Sequence, residues 1–326
     1  MNILYILGNG FDKAQGMATS YPEFYKYLEE NVKNGSPLFN KMMEEITQNV
    51  EFWADMEIAL GNFTSKTNNA DEFYEFYFEL IEYLQNYLRL ENEKFIPSQQ
   101  HIKKIQTDFP AINYYLDPLD NEKFYTFFQQ YNNSYKEINV LTLNYTYSLE
   151  KLLELPVGQT SRDILNYKLN DIIHLHGKLD DSTIIGVDNE MQIKNELFRI
   201  NDDIKDCMIK IQSNETMKEI KHLDYKKLIN RAQIIVLFGV SLGNSDAYLW
   251  KSIGEHLKAK KDAILIQHIH APREVPSTQR QKRGKLEREK QELIKQQMQI
   301  EENIWTNEIK NRVFFPINKS IFKLQN

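Results

Sequence analysis

Apolar residues fall in short, continuous runs along the chain: "NILYILG" (2–8), "INVLTLN" (138–144), "DIIHLHG" (171–177), "TIIGV" (183–187), "QIIVLFG" (233–239) and "AILIQHI" (263–269). Continuous rather than alternating hydrophobicity predicts strands buried on both faces. "VFFPI" (313–317) is a weaker candidate, and Pro316 suits it to a sheet edge. Helical patterns separate many of these runs. Strands alternating with helices predict an α/β fold built on a parallel sheet.

The interval from 20 to 135 breaks this rhythm. It is aromatic and charged, with Phe73, Phe76, Tyr77, Leu80, Ile81 and Leu84 at helical spacing. It reads as a helical subdomain inserted between the first and second strands, so that residues 1–19 and 136–326 form the sheet domain. Within it, "FWADMEIALG" carries Asp55 and Glu57. Carboxylates two apart on a helix point to different faces and make a poor acid–base pair, so this run is expected to be an ordinary helix. Residues 157–163 read as a surface loop. The charged stretch 278–303 reads as a solvated helix with one apolar stripe at Leu286, Leu293 and Ile300, with Ile294 and Met298 nearby. That stripe leaves open a short coiled-coil contact with a second subunit, and hence a homo-oligomer.

Composition narrows the classes of partner. With 326 residues and 41% hydrophobic content, the chain has material for a sizeable core. A net charge of −6 argues against non-specific binding to nucleic acid or anionic membranes. The 18 Tyr and 18 Phe have few basic residues among them, so they read as core aromatics and not as a base-stacking surface. The single cysteine, Cys207, rules out an internal disulfide or a Cys-based zinc site. The histidines show no metal-ligand spacing, so no metal is expected. No apolar run is long enough to span a bilayer, and a cytoplasmic protein is expected.

The first strand ends in "GNGFDKAQGM", a glycine-rich turn leading to a helix, which can aim backbone N–H groups at an anion. The dinucleotide fingerprint G-x-G-x-x-G needs glycine at position 13, where this chain has Lys13, so the ordinary dehydrogenase pattern fails. Three later strands also end in polar residues: Asn144 after "LTL", His176 and Gly177 in "HLHG", and Gly239, Ser241 and Asp246 in "GVSLGNSD". Carboxyl ends of parallel strands are where open α/β sheets bind ligands. Alternation places His174 and His176 on one face. His176, at the strand end, is the one expected to meet a ligand, and His174 reads as a core or supporting residue.

The set G-N-G-F-D, "WADME", "NYT", "HLHG" with "IIGVDN", and "GVSLGNSD" resembles the AbiH family of bacteriophage abortive-infection proteins across nearly the whole chain. The resemblance implies a role in bacterial defence, in which an infected cell stops growing before phage can spread, with a phage-derived or host activator. The same motif order is similar, more distantly, to the SIR2 (sirtuin-like) NAD-binding fold, with its G-A-G-x-S-x-x-x-G-I, T-x-N-x-D, H-G and G-T-S-L motifs. Gly8, Gly10, Asp12, Gly16 and Met17 fall at the spacing of the first motif, Thr142, Asn144 and Thr146 on the second, His176 and Gly177 on the third, and Gly239, Ser241 and Leu242 on the fourth. Two positions depart: Asp12 stands where the pattern has serine, and Thr146 where it has aspartate. The zinc-binding cysteines of deacylase sirtuins are absent.

The resemblance implies a Rossmann-like, SIR2-like parallel sheet with NAD as substrate or ligand. Gly8, Asn9, Gly10, Phe11 and Asp12 would meet the pyrophosphate side. Asn144 would position the ribose and a water, and His176 would act as general base. Thr146, Gly239, Ser241, Leu242 and Asp246 would complete the cofactor site, with Ser241 and Asp246 on the adenosine side. The implied activity is an NAD glycohydrolase. The rival is a sensor that binds NAD or ADP-ribose without cleaving it.

Overall fold

The computed structural model describes the chain except residues 132–133, 157–158, 180–182, 218–220, 272–279 and 324–326, with backbone only at 221–223. Seven strands form one sheet: β1 (Asn2–Leu7), β2 (Glu137–Thr142), β3 (Arg162–Ile164), β4 (Tyr167–His174), β5 (Ile234–Phe238), β6 (Ile264–Gln267) and β7 (Val313–Phe314), in the order β3-β4-β2-β1-β5-β6-β7. Only β3 is antiparallel to its neighbour. Numbered among themselves, the six parallel strands run 3-2-1-4-5-6, the order of doubly wound sheets. The sheet grows first to one side of β1 and then, from β5, to the other. That reversal opens a crevice at the carboxyl edge between β1 and β5.

Side chains of β1 show why its apolar run is continuous. Ile3, Tyr5 and Leu7 enter the core on one face, and Leu4 and Ile6 the core on the other. The helices before β2 are α1 (Gly10–Ala14), α2 (Tyr21–Asn31), α3 (Pro37–Gln48), α4 (Met56–Phe63), α5 (Ala70–Lys94), α6 (Gln99–Asp108) and α7 (Pro118–Phe128). The hydrophobic clusters divide these helices into two groups. Phe24, Leu38, Leu60, Phe73, Phe76 and Leu84 of α2–α5 share a core with residues between 179 and 209. Ile105, Phe109 and Phe124 of α6–α7 instead pack under the sheet, where the Tyr5 hydroxyl donates to Phe109 O at 2.7 Å.

After β2 comes α8 (Ser148–Leu152). Between β4 and β5 lie α9 (Glu196–Arg199), α10 (Asp202–Met208), α11 (Lys210–Thr216) and α12 (Lys221–Arg231). α13 (Ala247–Ala259) follows β5, and α14 (Arg280–Gln297) lies between β6 and β7. The predicted apolar stripe packs on the protein's own core: Ile294, Met298 and Ile300 are buried, with Leu286 and Leu293 partly so.

Two expectations need correction. Residues 183–187 are not a strand; Val187 makes a single bridge to Ile209. Tyrosine hydroxyls satisfy the carbonyls that a ladder would otherwise hold: Tyr145 donates to Ile184 O at 2.9 Å and Tyr77 to Ile185 O at 2.8 Å. The expected loop at 157–163 contains the start of β3, while 157–158 lie outside the described residues.

Candidate functional site

The floor of the site is where the turn after β1 meets the loop after β5. Gly8 N donates to Phe238 O and Gly10 N to Gly239 O, both at 3.0 Å, and Phe11 N turns back to Gly8 O at 2.8 Å. A Cβ on Gly8 would lie 2.6 Å from Gly239 O, one on Gly10 2.5 Å from Gly239 Cα, and one on Gly239, whose φ is +69°, 2.6 Å from Phe11 N. These glycines therefore let two backbones touch, whatever else they meet. Three amides of the turn already donate inside the protein.

Above this floor is a cleft of about 520 Å³, within the range of small-molecule sites. Its sheet side is lined by Gly8, Asn9, Asp12, Asn144, Thr146, His176, Gly239, Ser241 and Asp246, nine of the residues singled out above. Gly10 lies on the far side of the wall. Phe11 and Leu242 do not reach the cleft. Phe11 packs edge-on to Phe238 and Phe322, and Leu242 is buried against α13. They are core residues, because the helical turn of α1 and the positive φ of Leu242 (56°) aim them inward.

The two departures from the sirtuin-like pattern touch each other. The Thr146 hydroxyl donates to Asp12 Oδ2 at 2.7 Å, and Ser148 donates to Asp12 Oδ1 at 2.5 Å. Burial pushes the Asp12 carboxyl up, against the hydroxyls that favour its charge. Asn144 is fixed from behind: its amide donates to Thr142 Oγ1 at 3.1 Å, and His174 Nδ1 lies 2.8 Å from its carbonyl. His174 Nε2 meets Glu150 Oε1 at 2.7 Å. β4 ends at His174, so strand alternation does not extend to His176. His174 supports the Asn144 loop, and His176 alone lines the cleft.

Gly177, at φ +85°, turns the chain sharply after His176. His176 Nε2 lies 2.9 Å from Asp246 Oδ1, off the line of an ideal N–H···O bond. The same Asp246 oxygen receives Lys210 Nζ at 2.8 Å, and Lys210 also meets Glu57 Oε2 at 2.8 Å. Lys210 has no exposed side-chain surface. Burial alone would lower its ammonium, but the two carboxylates outweigh burial and raise it. Burial likewise opposes charge on Asp246, yet Lys210 and His176 hold its carboxyl far below the ordinary range. For Glu57 burial wins, and its carboxyl is raised.

Sequence spacing missed Glu57, Asp55 and Lys210. Asp55 is not on the helix at all: it caps α4, accepting from Ile58 N at 3.2 Å, and both carboxylates reach the cleft. Asp246 sits beside His176. The one signal in the sequence was a lysine flanked by Ile209 and Ile211. Among the described residues, no group of three or more His, Cys, Asp or Glu is placed to hold a metal.

The roof is helical: Thr19, Ser20, Tyr21, Pro22, Leu84 and Leu88 close the cleft over the sheet. Across the Gly239–Ser241 wall lies a second cleft of about 530 Å³, lined by Lys13, Lys290, Lys319, Lys323, Gln267 and His268 and, among the described residues, by no acidic one.

Fold and site together define a doubly wound α/β protein whose ligand cleft lies at the reversal point of the sheet under a helical roof. The chain matches the profile of the family described as "Bacteriophage abortive infection AbiH" over residues 4–268, and it belongs to that family. Membership points to a role in phage abortive infection. No curated protein matches it. No described helix is long and apolar enough to cross a membrane.

Proposed function

We propose that the protein is an abortive-infection effector that hydrolyses NAD⁺ in the acidic cleft, on a SIR2-like Rossmann sheet. The observation that carries this reading is the meeting of Asn144 and the His176–Asp246 pair in one cleft rich in carboxylates. Nicotinamide riboside is cationic, and breaking its glycosidic bond builds positive charge on the ribose. Asp12, Asp55, Glu57 and Asp246 oppose that charge in a partly water-excluded site. The pyrophosphate would run past Gly239–Ser241 toward the lysines of the second cleft.

In this reaction the C1′–N bond breaks and its electron pair returns to the pyridine nitrogen, which leaves neutral. Water oxygen bonds to C1′. With Nε2 held toward Asp246, Nδ1 is the imidazole nitrogen open to the cleft, and it accepts the proton of the water. Asn144 carries both a donor and an acceptor and aligns the ribose hydroxyls and the water. The products are ADP-ribose, nicotinamide and a proton. Assaying nicotinamide release by purified protein, alone and with lysate of phage-infected cells, tests the reading. NAD⁺ that stays intact in both sinks it.

A second reading rests on the roof. Residues 19–22 and 54–57 touch the same cleft as the sheet, so an occupant that is never cleaved would still be felt by the helical insertion. Binding of NAD⁺ or ADP-ribose with no turnover, and a change in proteolysis of residues 20–95 on binding, would favour this sensor.

A further inference from the structure

We infer that Lys210 and Glu57 are positioning residues that set how firmly Asp246 holds His176. The key observation is that one oxygen, Asp246 Oδ1, is shared between Lys210 Nζ at 2.8 Å and His176 Nε2 at 2.9 Å. Glu57 competes for the same ammonium from the opposite side, at 2.8 Å. The more strongly Glu57 draws Lys210, the more of Asp246 is left for the imidazole. The inference rests on the proposed role of His176 only for its effect on rate, not for its charge logic.

The lysine is held firmly enough to act this way. Val187 N donates to Met208 O at 2.7 Å and Lys210 N to Val187 O at 3.1 Å, so backbone on both sides of it is pinned. A Cβ on Gly186 would lie 2.1 Å from Met208 O, which keeps these segments in contact. Tyr77 clamps the pair again, donating to Ile185 O and Cys207 O. Among the described residues no lysine or arginine lines the cleft itself, and Lys210 acts on it from behind Glu57 and Asp246.

Among the described residues, the other titratable groups around the network include Tyr21, Tyr77, Tyr145 and Tyr248, with Asp12 and Asp55 lining the cleft. Burial holds all four phenols well above their ordinary value, so they stay neutral through the range where imidazole titrates. Glu57, Lys210 and Asp246 are therefore the charges that tune His176 from within.

Opposite substitutions must then push His176 in opposite directions. Lys210→Met removes a positive charge and frees Asp246, so the His176 titration midpoint rises. Glu57→Gln turns Lys210 wholly toward Asp246, so the midpoint falls. Each shift is expected to be about one pH unit, the scale of a single close charge. The double variant, with both charges gone, should lie between them.

The test is a pH titration of the imidazole ¹⁵N resonances of the full chain labelled at histidine, with His176→Gln used to assign the signal. The same variants are carried through a pH profile of kcat/KM. Glu57→Gln is nearly isosteric, and the double variant removes the lysine together with one of its two carboxylate partners, so both remain informative if Lys210→Met fails to fold. Opposed midpoints, mirrored in the low-pH limb of the profile, support the inference. A midpoint that does not move in folded Glu57→Gln, or shifts of the same sign in both single variants, overturn it. The titration needs no NAD⁺, so opposed midpoints in a protein without NAD⁺ turnover would remove the hydrolase reading and leave the network standing.

Discussion

The clefts on either side of the Gly239–Ser241 wall are nearly equal in volume, about 520 and 530 Å³, yet opposite in charge. Among the described residues, one is lined by Asp12, Asp55, Glu57 and Asp246 with no lysine or arginine, and the other by Lys13, Lys290, Lys319 and Lys323 with no acid. The wall is common backbone, so the difference comes from what each side is packed against. Asp12, Glu57 and Asp246 of the first cleft are buried and tied into pairs and hydroxyl bonds. Lys13 of α1 and segments nearer the end of the chain supply lysines to the second, of which Lys319 is bridged to Asp117 at 2.9 Å. Burial drives His268 down to about 3, so that imidazole adds no positive charge to the cleft at neutral pH. A shared scaffold thus presents two chemistries, one acidic and one basic, on the two sides of a single backbone wall.

The largest expected effect falls on the acidic side. His176→Ala and Asn144→Ala should each lower NAD⁺ turnover about a hundred-fold or more while leaving binding of ADP-ribose largely intact. Steady-state kinetics with calorimetric binding checks this. Equal loss of binding and turnover would mean that these residues hold the ligand and do no chemistry.

Gly10→Ala attacks the wall itself. A methyl 2.5 Å from Gly239 Cα has only backbone to displace, and the expected cost is about 2 kcal/mol of stability. Chemical denaturation measures it, and an unchanged midpoint would show that the two loops slide apart without cost.

On the basic side, Lys290→Glu with Lys323→Glu should raise the KM for NAD⁺ about tenfold at low salt and leave kcat unchanged. The effect should shrink as ionic strength rises. A KM that does not move would confine the ligand to the acidic cleft.

The smallest effect is on Asp12. Its carboxyl is raised by burial, so the folded state holds the proton more tightly than the unfolded chain. Stability therefore falls as pH rises from the unfolded value of about 3.9 through the raised one. Asp12→Asn should flatten that decline and raise stability at neutral pH by about 0.5 kcal/mol, since the Thr146 and Ser148 hydroxyls can turn to accept. Thermal melts between pH 4 and 8 would show it, and a steeper decline in the variant would contradict the assignment.

Much of the sheet was legible because buried parallel strands are written as unbroken apolar runs. Strand-end residues such as Asn144 and His176 could be placed at one edge for the same reason. The failures share a cause. Residues 183–187 have the burial of a strand but tyrosine hydroxyls in place of a neighbouring strand, and apolar pattern records burial, not partners. Lys210 and Glu57 are 153 positions apart, and no spacing rule within one element can join them. Asp55 and Glu57 were set aside on helical geometry, which does not apply to a residue that precedes the helix as its cap. Phe11 and Leu242 lie inside the motifs that mark the site, and their side chains point the other way.

The glycine-on-glycine contact also has a signature in time. The bonds from Gly8 N to Phe238 O and from Gly10 N to Gly239 O cross the wall between two strands buried in the centre of the sheet. Breaking them requires the central strands to part, so these amides should exchange with deuterium only at the pace of global unfolding. The roof residues Thr19–Pro22 lead into the first turn of α2, outside the sheet, where opening can be local. Exchange measured by mass would then record ligand arrival as slowing confined to the roof, against a floor that is silent on the same clock.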